Sequence, residues 1–301
     1  MRLLDALRSA TERLERAGVE DPHVDAELLV LHAAGLGRLA AYTENPEIDR
    51  RLVSRINSLV RRRLRSEPVQ YITGSVEFLG LRIRVGKGVL IPRPETELLV
   101  QEAVTAVHSS RFKIRGFEKK IEHGTSNAEP VSVLDLCTGS GCIALAIGRE
   151  FPDARVMATD ISAKALRYAR RNAEENGIAN VEFLKGSLFA PLKKGACFDL
   201  IISNPPYVRT AAIDALQPEV RDWEPRAALD GGDDGLGFYR AILDDAAARL
   251  NTGGTLLLEI GFDQGAAVNE LAIGAGLADV SVIRDYAGLD RIVKARKTLS
   301  S

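Results

Sequence analysis

The chain has 301 residues, 46% of them hydrophobic, and a formal net charge of -1 at pH 7. This length suffices for one large core or two smaller ones, so we expect two domains. The near-neutral charge disfavours a protein that binds nucleic acid mainly through phosphate groups. The three cysteines lack the spacing of metal ligands, so the sequence predicts neither disulfides nor a metal site.

The start of the chain mixes apolar and charged residues and lacks the continuous apolar segment of a signal peptide. No later apolar run approaches the length that crosses a bilayer. We therefore expect a cytoplasmic protein that does not associate with membranes. We separately expect it to be a monomer.

Residues 1–72 are predicted to form a helical domain. Apolar residues recur at helical spacing up to Gly18, and a second apolar set follows Asp21-Pro22, a suitable cap and first-turn proline. A third helix is predicted over residues 49–65, where arginines lie largely off the apolar stripe. The simpler interpretation of these arginines is a solvated helix face. The alternative is a docking surface for an acidic or ribonucleoprotein partner.

Residues 73–94 alternate apolar and polar positions and are broken by glycines, which predicts a β-hairpin linking two domains. Pro92-Arg93-Pro94 is predicted to be rigid and extended, with a helix starting near Thr96. Residues 109–130 are polar and aperiodic, so we expect an exposed insertion there.

Residues 95–301 are predicted to form the second domain, with strands alternating with helices after Pro130. Apolar strands are predicted at 131–136, 155–159, 181–184, 198–203 and 255–260, with helices at 141–150, 162–176 and 236–250. Two further strands, 280–284 and 291–295, have no helix between them and should pair as an antiparallel hairpin. The pattern predicts an α/β fold with a seven-stranded, mainly parallel sheet.

A glycine-rich turn, Asp135 to Gly141, joins the first of these strands to a helix. Glycine lets the backbone approach a ligand closely, and the helix N-H groups favour a carboxylate or phosphate. Ala144 takes the third glycine position of a dinucleotide-binding turn, which that pattern sometimes permits. Asp160, at the end of the next strand, is placed to accept hydrogen bonds from ribose hydroxyls, or else to cap the helix that begins at Ser162.

Asn204-Pro205-Pro206-Tyr207 follows another apolar strand and should lie on the same sheet edge as the glycine-rich turn. The two prolines stiffen this turn. Asn204 offers a side-chain carbonyl, Pro205 a backbone carbonyl and Tyr207 a flat face, a set that suits a planar NH2 group of either adenine or glutamine. Beside a nucleoside site, this predicts group transfer from a carrier such as S-adenosylmethionine.

These motifs resemble those of class I S-adenosylmethionine-dependent methyltransferases that modify planar nitrogens, which have a Rossmann-like sheet. Three further stretches resemble the release-factor glutamine methyltransferases. They are residues 68–74 followed by Glu77-Phe78, residues 91–97, and Glu224-Pro225 with Ala228-Leu229 and residues 232–236. A sister family that methylates glutamine of a ribosomal protein shares Asn-Pro-Pro-Tyr but tends to lack Pro-Glu-Thr-Glu, so residues 92–97 favour the release-factor branch. The resemblance covers nearly the whole chain.

The resemblance implies transfer of a methyl group to the side-chain amide nitrogen (N5) of the glutamine in the Gly-Gly-Gln motif of class 1 release factors. The helical domain would dock the release factor, with no metal and no stable binding of nucleic acid. Asn204, Pro205 and Tyr207 would be the catalytic residues. The expected substrate-binding residues are Asn204, Pro205, Pro206, Tyr207, Arg93 and Glu95.

The resemblance also implies a set of cofactor contacts. These are Asp135, Cys137, Thr138, Gly139, Ser140, Gly141, Asp160, Ser187, Leu188 and Asn204. Ser187 and Leu188 stand where the family commonly has an acid and a tryptophan near adenine, so adenine would pack on Leu188 or on Phe189. The alternatives are an adenine-N6 methyltransferase of DNA or RNA, a ribosomal-protein glutamine methyltransferase, and a cofactor-binding regulatory protein without turnover.

Overall fold

The computed structural model describes residues 1–114 and 130–298. The chain divides into two compact units. We call them the helical unit, made of Met1–Ser75, Val85–Lys87 and Leu216–Glu224, and the sheet unit, made of Val76–Arg84, Gly88–Ala215 and Pro225–Ser301.

The helical unit is built on short helices packed through their apolar faces. They are α1 (Leu3–Arg16), α2 (Pro22–Ala34), α3 (Arg38–Glu44), α4 (Arg50–Arg63) and α5 (Val69–Thr73). Pro22 lies in the first turn of α2, and Gly35 ends that helix in the left-handed region at φ 67°. Asp49 caps α4 by accepting a hydrogen bond from the Leu52 N-H at 2.8 Å. The sequence did not predict α3 or α5, which are seven and five residues long.

Most arginines of α4 and the turn after it face solvent, including Arg51, Arg55, Arg61 and Arg65. Arg63 is the exception because it is buried, donates to Asp25 at 2.5 Å and pairs with Glu219. Glu219 belongs to α9 (Pro218–Arg221), far from α4 in sequence. A buried charge needs a partner, and this ion pair links residues 216–224 to α4 within the helical unit.

The predicted hairpin is present as a two-stranded sheet of β1 (Ser75–Phe78) and β2 (Leu81–Arg84). Asn172 pairs with both backbone groups of Arg84, at 2.7 Å and 3.2 Å, and so fixes β2 within the sheet unit.

Helix α6 spans Pro94–Ile114. Residues 109–114, the start of the insertion predicted over 109–130, continue this helix, and residues 115–129 lie outside the described part of the chain. Polarity alone does not end a helix. No proline or glycine occurs between residue 95 and Gly116, so extending an existing helix is favourable.

The sheet unit contains a seven-stranded sheet in the order β5-β4-β3-β6-β7-β9-β8, which confirms the predicted fold. Its strands are β3 (Ser132–Leu136), β4 (Arg155–Asp160), β5 (Val181–Lys185), β6 (Phe198–Ser203), β7 (Leu250–Glu259), β8 (Ala278–Arg284) and β9 (Asp290–Arg296). Strands β3 to β7 are parallel, whereas β9 is antiparallel to both β7 and β8.

Four helices follow strands of this sheet. They are α7 (Cys142–Glu150), α8 (Ala163–Asn176), α10 (Gly237–Arg249) and α11 (Gly265–Gly274), with 3-10 turns at Thr210–Ala215 and Arg226–Ala228. Strand β7 begins at Leu250, earlier than the predicted residue 255, and its pairing with β6 shifts register between Phe198 and Leu200. Gly254 permits this bulge, since a Cβ there would lie 3.1 Å from the Phe198 carbonyl oxygen.

From β3, the next strands β4 and β5 extend the sheet toward one edge, and β6 then lies on the other side of β3. Strands β3 and β6 are therefore neighbours at the point where the strand order reverses. Open α/β sheets bind ligands at the carboxyl ends of strands at such a point, because the loops diverge there and leave a crevice. Leu136 pairs with Ser203, so the glycine-rich turn and Asn204 leave the sheet side by side. Within residues 1–114 and 130–298, no helix is long and apolar enough to cross a membrane.

Candidate active site

A cavity of about 380 Å³ opens at this edge of the sheet unit. The loops after β3, β4, β5 and β6 all contribute to its wall, together with the segment that leads into α6. The predicted site residues in the lining are Arg93, Cys137, Thr138, Gly139, Ser140, Asp160, Ser187, Leu188, Asn204 and Pro206. Of the described residues, five predicted ones lie outside this lining, namely Glu95, Asp135, Gly141, Pro205 and Tyr207.

The glycine-rich turn presents its backbone to the cavity. Gly139 has φ +57°, and a Cβ there would approach only the Cys137 carbonyl oxygen, at 4.0 Å. This residue therefore leaves space for a ligand against the main chain. Cys137 has φ +59°, an uncommon conformation for a residue with a side chain and one that favours glycine.

Gly141 serves packing and does not line the cavity. It has φ +83°, and a Cβ there would lie 3.0 Å from the Ala169 Cβ on α8. The missing side chain lets the turn lie against that helix, which explains why Gly141 is buried and outside the lining.

Replacing Gly141 with alanine is expected to destabilise the protein more than replacing Gly177 does. Gly177 ends α8 at φ +68°, and a Cβ added there would have no atom within 4 Å, so both variants force alanine into the left-handed region but only Gly141→Ala collides with Ala169. Overpacking should make the loss of unfolding free energy larger by about 1–3 kcal/mol. Urea denaturation measures both, and equal losses would show that Ala169 moves aside without cost.

Both carboxylate oxygens of Asp160 are engaged with the main chain around the cavity. Oδ2 accepts from the Gly139 N-H at 2.8 Å, and Oδ1 accepts from the Ser162 N-H at 2.7 Å. Each oxygen has a further lone pair for a ligand hydroxyl. Helix α8 is capped by Ser162, whose Oγ accepts from the Ala165 N-H at 3.2 Å, so Asp160 is not the cap.

Asp135 lies directly behind the turn and is completely buried. Thr138 donates to its Oδ2 at 2.5 Å, whereas its Oδ1 has no hydrogen-bond partner among the described residues. Burial raises the pKa of Asp135 to about 7, and the negative charge of Asp160 adds to this. Burial also raises the pKa of Asp160. A cationic ligand in the cavity would favour the ionised forms of both groups.

The loop after β5 contributes Ser187 and Leu188 to the cavity. Phe189, the alternative partner for adenine, instead packs in the hydrophobic core with Leu134 and Tyr239. Leu188 has φ +46°. With this left-handed backbone, Leu188 lines the cavity while the adjacent Phe189 is buried in the core. The sequence could not distinguish these two adjacent apolar residues.

The Asn204–Tyr207 turn is held from both sides. Ser203 Oγ donates to the Leu136 carbonyl oxygen at 2.8 Å, which joins the ends of β6 and β3. Gln264 Nε2 donates to the Tyr207 carbonyl oxygen at 2.9 Å. A Cβ on Gly231 would lie 2.8 Å from the Tyr207 Cα, and one on Gly235 would lie 2.5 Å from the Tyr207 carbonyl oxygen, so these two glycines allow their segment to pack on the turn.

Two polar residues without a role in the sequence-based prediction complete the site. Asn204 Nδ2 donates to Thr96 Oγ1 at 3.2 Å, and Thr96 Oγ1 donates to Glu259 Oε2 at 2.8 Å. The side-chain oxygen of Asn204 remains available to a ligand. Thr96 lies inside the Pro-Glu-Thr-Glu stretch, and Glu259 is an acid at the carboxyl end of a strand, a position that signals a site residue in this fold.

Arg93 and Glu95 differ in position. Arg93 lines the cavity, and Glu95 is exposed.

Burial raises the pKa of Tyr207 to about 12, with smaller effects from Glu259, Arg93 and other nearby charges. Tyr207 is therefore a neutral phenol at physiological pH.

Among the described residues, no group of three or more His, Cys, Asp or Glu is placed to hold a metal ion.

Comparison with known proteins agrees with this geometry. The family model for the PrmC N-terminal domain matches residues 5–74, and that for the methyltransferase small domain matches residues 118–218. The release factor glutamine methyltransferase of Thermodesulfovibrio yellowstonii is 43% identical over 276 residues, covering 92% of this chain and 93% of the relative. The chain belongs to the release factor glutamine methyltransferase family.

Other relatives are consistent with membership of the release factor glutamine methyltransferase family. The protein of that name from Cereibacter sphaeroides is 42% identical over 300 residues, covering 98% of this chain and 99% of the relative. The crystal structure of a Pyrococcus furiosus methyltransferase is 22% identical with a TM-score of 0.52, covering 74% of this chain and 91% of that one. The last likeness shows the fold alone. The family assignment confirms the resemblance seen in the sequence.

Proposed function

We propose that this protein transfers a methyl group from S-adenosylmethionine to a glutamine side-chain amide nitrogen of a translation release factor. One observation carries this proposal. The NH2 group of Asn204 is engaged by Thr96, so the Asn204 oxygen is an acceptor in the cavity that Gly139 and Asp160 also line. An acceptor beside a nucleoside site suits a substrate that presents an NH2 group.

The residues of the cavity suit S-adenosylmethionine. Gly139 leaves room for close approach, Asp160 offers lone pairs to ribose hydroxyls, and Ser187 with Leu188 would border the adenine. The buried carboxyl of Asp135, with one oxygen unpaired, favours a positively charged ligand nearby. When bound, this cofactor supplies an electrophilic methyl group on a positively charged sulfonium.

The protein must orient a poor nucleophile, because the lone pair of an amide nitrogen is delocalised into the carbonyl group. The Asn204 side-chain oxygen would accept one N-H of the substrate amide, and the Pro205 carbonyl oxygen would accept the other. Tyr207 would pack against the amide plane as a neutral phenol. Full positioning of two reactants can lower a barrier by about 7–11 kcal/mol. Fixing the nitrogen in this way would supply several kcal/mol of that. Formation of the new carbon–nitrogen bond would break the methyl–sulfur bond and release S-adenosylhomocysteine as a neutral thioether. The surplus proton on nitrogen would then pass to water, so no strong base is required.

The relatives are named for release factors, and this supports a class 1 release factor as the substrate, with the glutamine of its Gly-Gly-Gln motif as the acceptor. We assign docking of the release factor to the helical unit, which includes residues 5–74 of the PrmC N-terminal domain match. The proposed enzyme acts as a cytoplasmic monomer and binds nucleic acid only weakly, in keeping with its net charge of -1.

Labelled S-adenosylmethionine tests this proposal directly. The protein is incubated with a class 1 release factor, with the same factor carrying Gln→Ala in its Gly-Gly-Gln motif, and with single-stranded or duplex nucleic acid. We expect label on the unmodified factor only, and mass spectrometry should place one methyl group on the glutamine. Label on nucleic acid but not on the release factor would overturn the proposal.

A further inference from the structure

We propose that Glu259 is a positioning residue that sets the direction of the Asn204 amide through Thr96, and that a proton on Glu259 switches the site off. The proposal rests on the proposed function, because it concerns which end of Asn204 faces a substrate NH2 group. The three residues come from separate elements, with Thr96 in the first turn of α6, Asn204 after β6 and Glu259 at the end of β7.

The hydrogen-bond chain from Asn204 through Thr96 to Glu259 is buried away from water at its Glu259 end. Thr96 is 2% exposed and Glu259 is 1% exposed, whereas Asn204 is half-buried and reaches the cavity. Buried polar groups that lose their partner are costly, so Thr96 must use both its donor and its acceptor inside the protein.

The charge of Glu259 determines the direction of every bond in the chain. An ionised carboxylate can only accept, so the single hydroxyl proton of Thr96 must point to Glu259, at 2.8 Å. The Thr96 oxygen is then left as an acceptor toward Asn204. Asn204 must turn its NH2 to Thr96, at 3.2 Å, and its oxygen to the substrate.

Protonation of Glu259 removes this constraint. A neutral carboxyl can donate to the Thr96 oxygen, and the Thr96 hydroxyl can then donate to the Asn204 oxygen. In that arrangement the amide is rotated by half a turn, and its NH2 group faces the cavity. A donor there cannot hold the NH2 group of a substrate amide. In the proposed switch, protonated Glu259 thus populates this rotated, inactive arrangement of Asn204, which ionised Glu259 forbids.

The environment of Glu259 places this change near neutral pH. Burial raises its pKa to about 7, opposed by the hydrogen bond from Thr96 and the positive charges of Arg291 and Arg93. The Tyr239 hydroxyl contacts the Glu259 carbonyl oxygen at 3.1 Å. The titratable or charged groups around Glu259 are Arg93, Glu95, Cys142, Tyr207, Tyr239 and Arg291.

Steady-state kinetics on Thr96 variants test the chain. Wild-type kcat should rise about tenfold per pH unit below pH 7 and level off above it, since the ionised form is active. Thr96→Ser keeps the hydroxyl and should keep this profile. Thr96→Val should lower kcat about 10-fold to 100-fold and flatten the profile, with KM for the release factor changing much less.

Two further variants separate positioning from folding. Thr105→Val makes the same change at an exposed position on α6 and should leave the kinetics unchanged. Glu259→Gln keeps the shape of the side chain but cannot ionise, so it should also flatten the profile while the protein remains folded. A Thr96→Val or Glu259→Gln enzyme with wild-type kcat and pH profile would overturn the proposal.

A measurement without substrate distinguishes this proposal from the proposed function. In ¹⁵N-labelled protein, the side-chain amide signals of Asn204, assigned from Asn204→Asp, should shift with a midpoint near pH 7 and stay constant in Glu259→Gln. If wild-type protein shows this titration but methylates no release factor, the switch stands and the proposed function fails. Asn204 signals that do not respond to pH would overturn the switch even in an active enzyme.

Discussion

Replacing Asn204 with alanine is expected to lower kcat by about 100-fold to 1,000-fold, the loss typical of removing one oriented hydrogen-bonding group from a reaction centre. The variant keeps the hydrogen bond from Thr96 to Glu259, at 2.8 Å, and the bonds that hold the Tyr207 turn. The defect should therefore lie in substrate orientation. Single-turnover assays with saturating S-adenosylmethionine and release factor measure the transfer step itself.

Isothermal titration calorimetry on Asn204→Ala shows whether the cofactor site is intact. We expect the dissociation constant for S-adenosylmethionine to stay within a few-fold of wild type, although Asn204 lines the same cavity. Asn269→Ala makes the same truncation at a half-buried position on α11, outside the lining, and should leave transfer unchanged. Normal transfer by Asn204→Ala would remove this residue from the mechanism, and lost cofactor binding would make it a cofactor ligand instead.

The sheet was predictable from sequence because strands buried on both faces are short, continuous apolar runs between turn signals. Phe198–Ser203 is such a run, and its bounds were predicted without error. Failures arose where tertiary contacts outweighed local signals. Gly253 and Gly254 suggest a turn, yet β7 continues through them, and its extra residues form a bulge opposite Phe198–Leu200 of β6. Likewise, polar residues after 108 suggest a loop, yet α6 continues to Ile114.

The candidate site was only partly predictable. Residues at strand ends converge on one edge of a parallel sheet, so the order of strands and motifs along the chain is enough to group Gly139, Asp160 and Asn204. The bonds from Asn204 to Thr96 and from Thr96 to Glu259 join residues separated by 108 and 163 positions. Only the packing of α6 against the sheet brings these side chains together, and no local pattern encodes it.

The acidic groups around the cavity share one electrostatic property. Burial raises the pKa of Asp135 to about 7 and also raises the pKa of Asp160, so these carboxyls are costly to ionise without a nearby positive charge. A cationic cofactor would supply that charge and gain affinity from it. Asp160 should have the larger effect on affinity, because it lines the cavity and also holds the Gly139 N-H.

Replacing Asp160 with alanine is accordingly expected to weaken S-adenosylmethionine binding by about 100-fold or more, since hydrogen bonds to a charged group contribute about 1.5–3 kcal/mol each. The variant loses the proposed acceptor for the ribose hydroxyls and the bonds to Gly139, at 2.8 Å, and Ser162, at 2.7 Å. Isothermal titration calorimetry gives the dissociation constant. At saturating cofactor kcat should change far less, because Asn204 and its partners remain in place.

The matched control is Asp153→Ala, which removes an exposed carboxyl from the connection between β3 and β4 without touching the cavity. Its affinity for the cofactor should equal that of wild type, which would exclude a general effect of lowering the negative charge. If Asp160→Ala bound the cofactor normally, the Asp160 carboxylate would only support the glycine-rich turn, and the ribose would have to be held elsewhere. If kcat fell as steeply as affinity, Asp160 would also contribute to the transfer step, because the charge it supplies would then be felt at the sulfonium during methyl transfer.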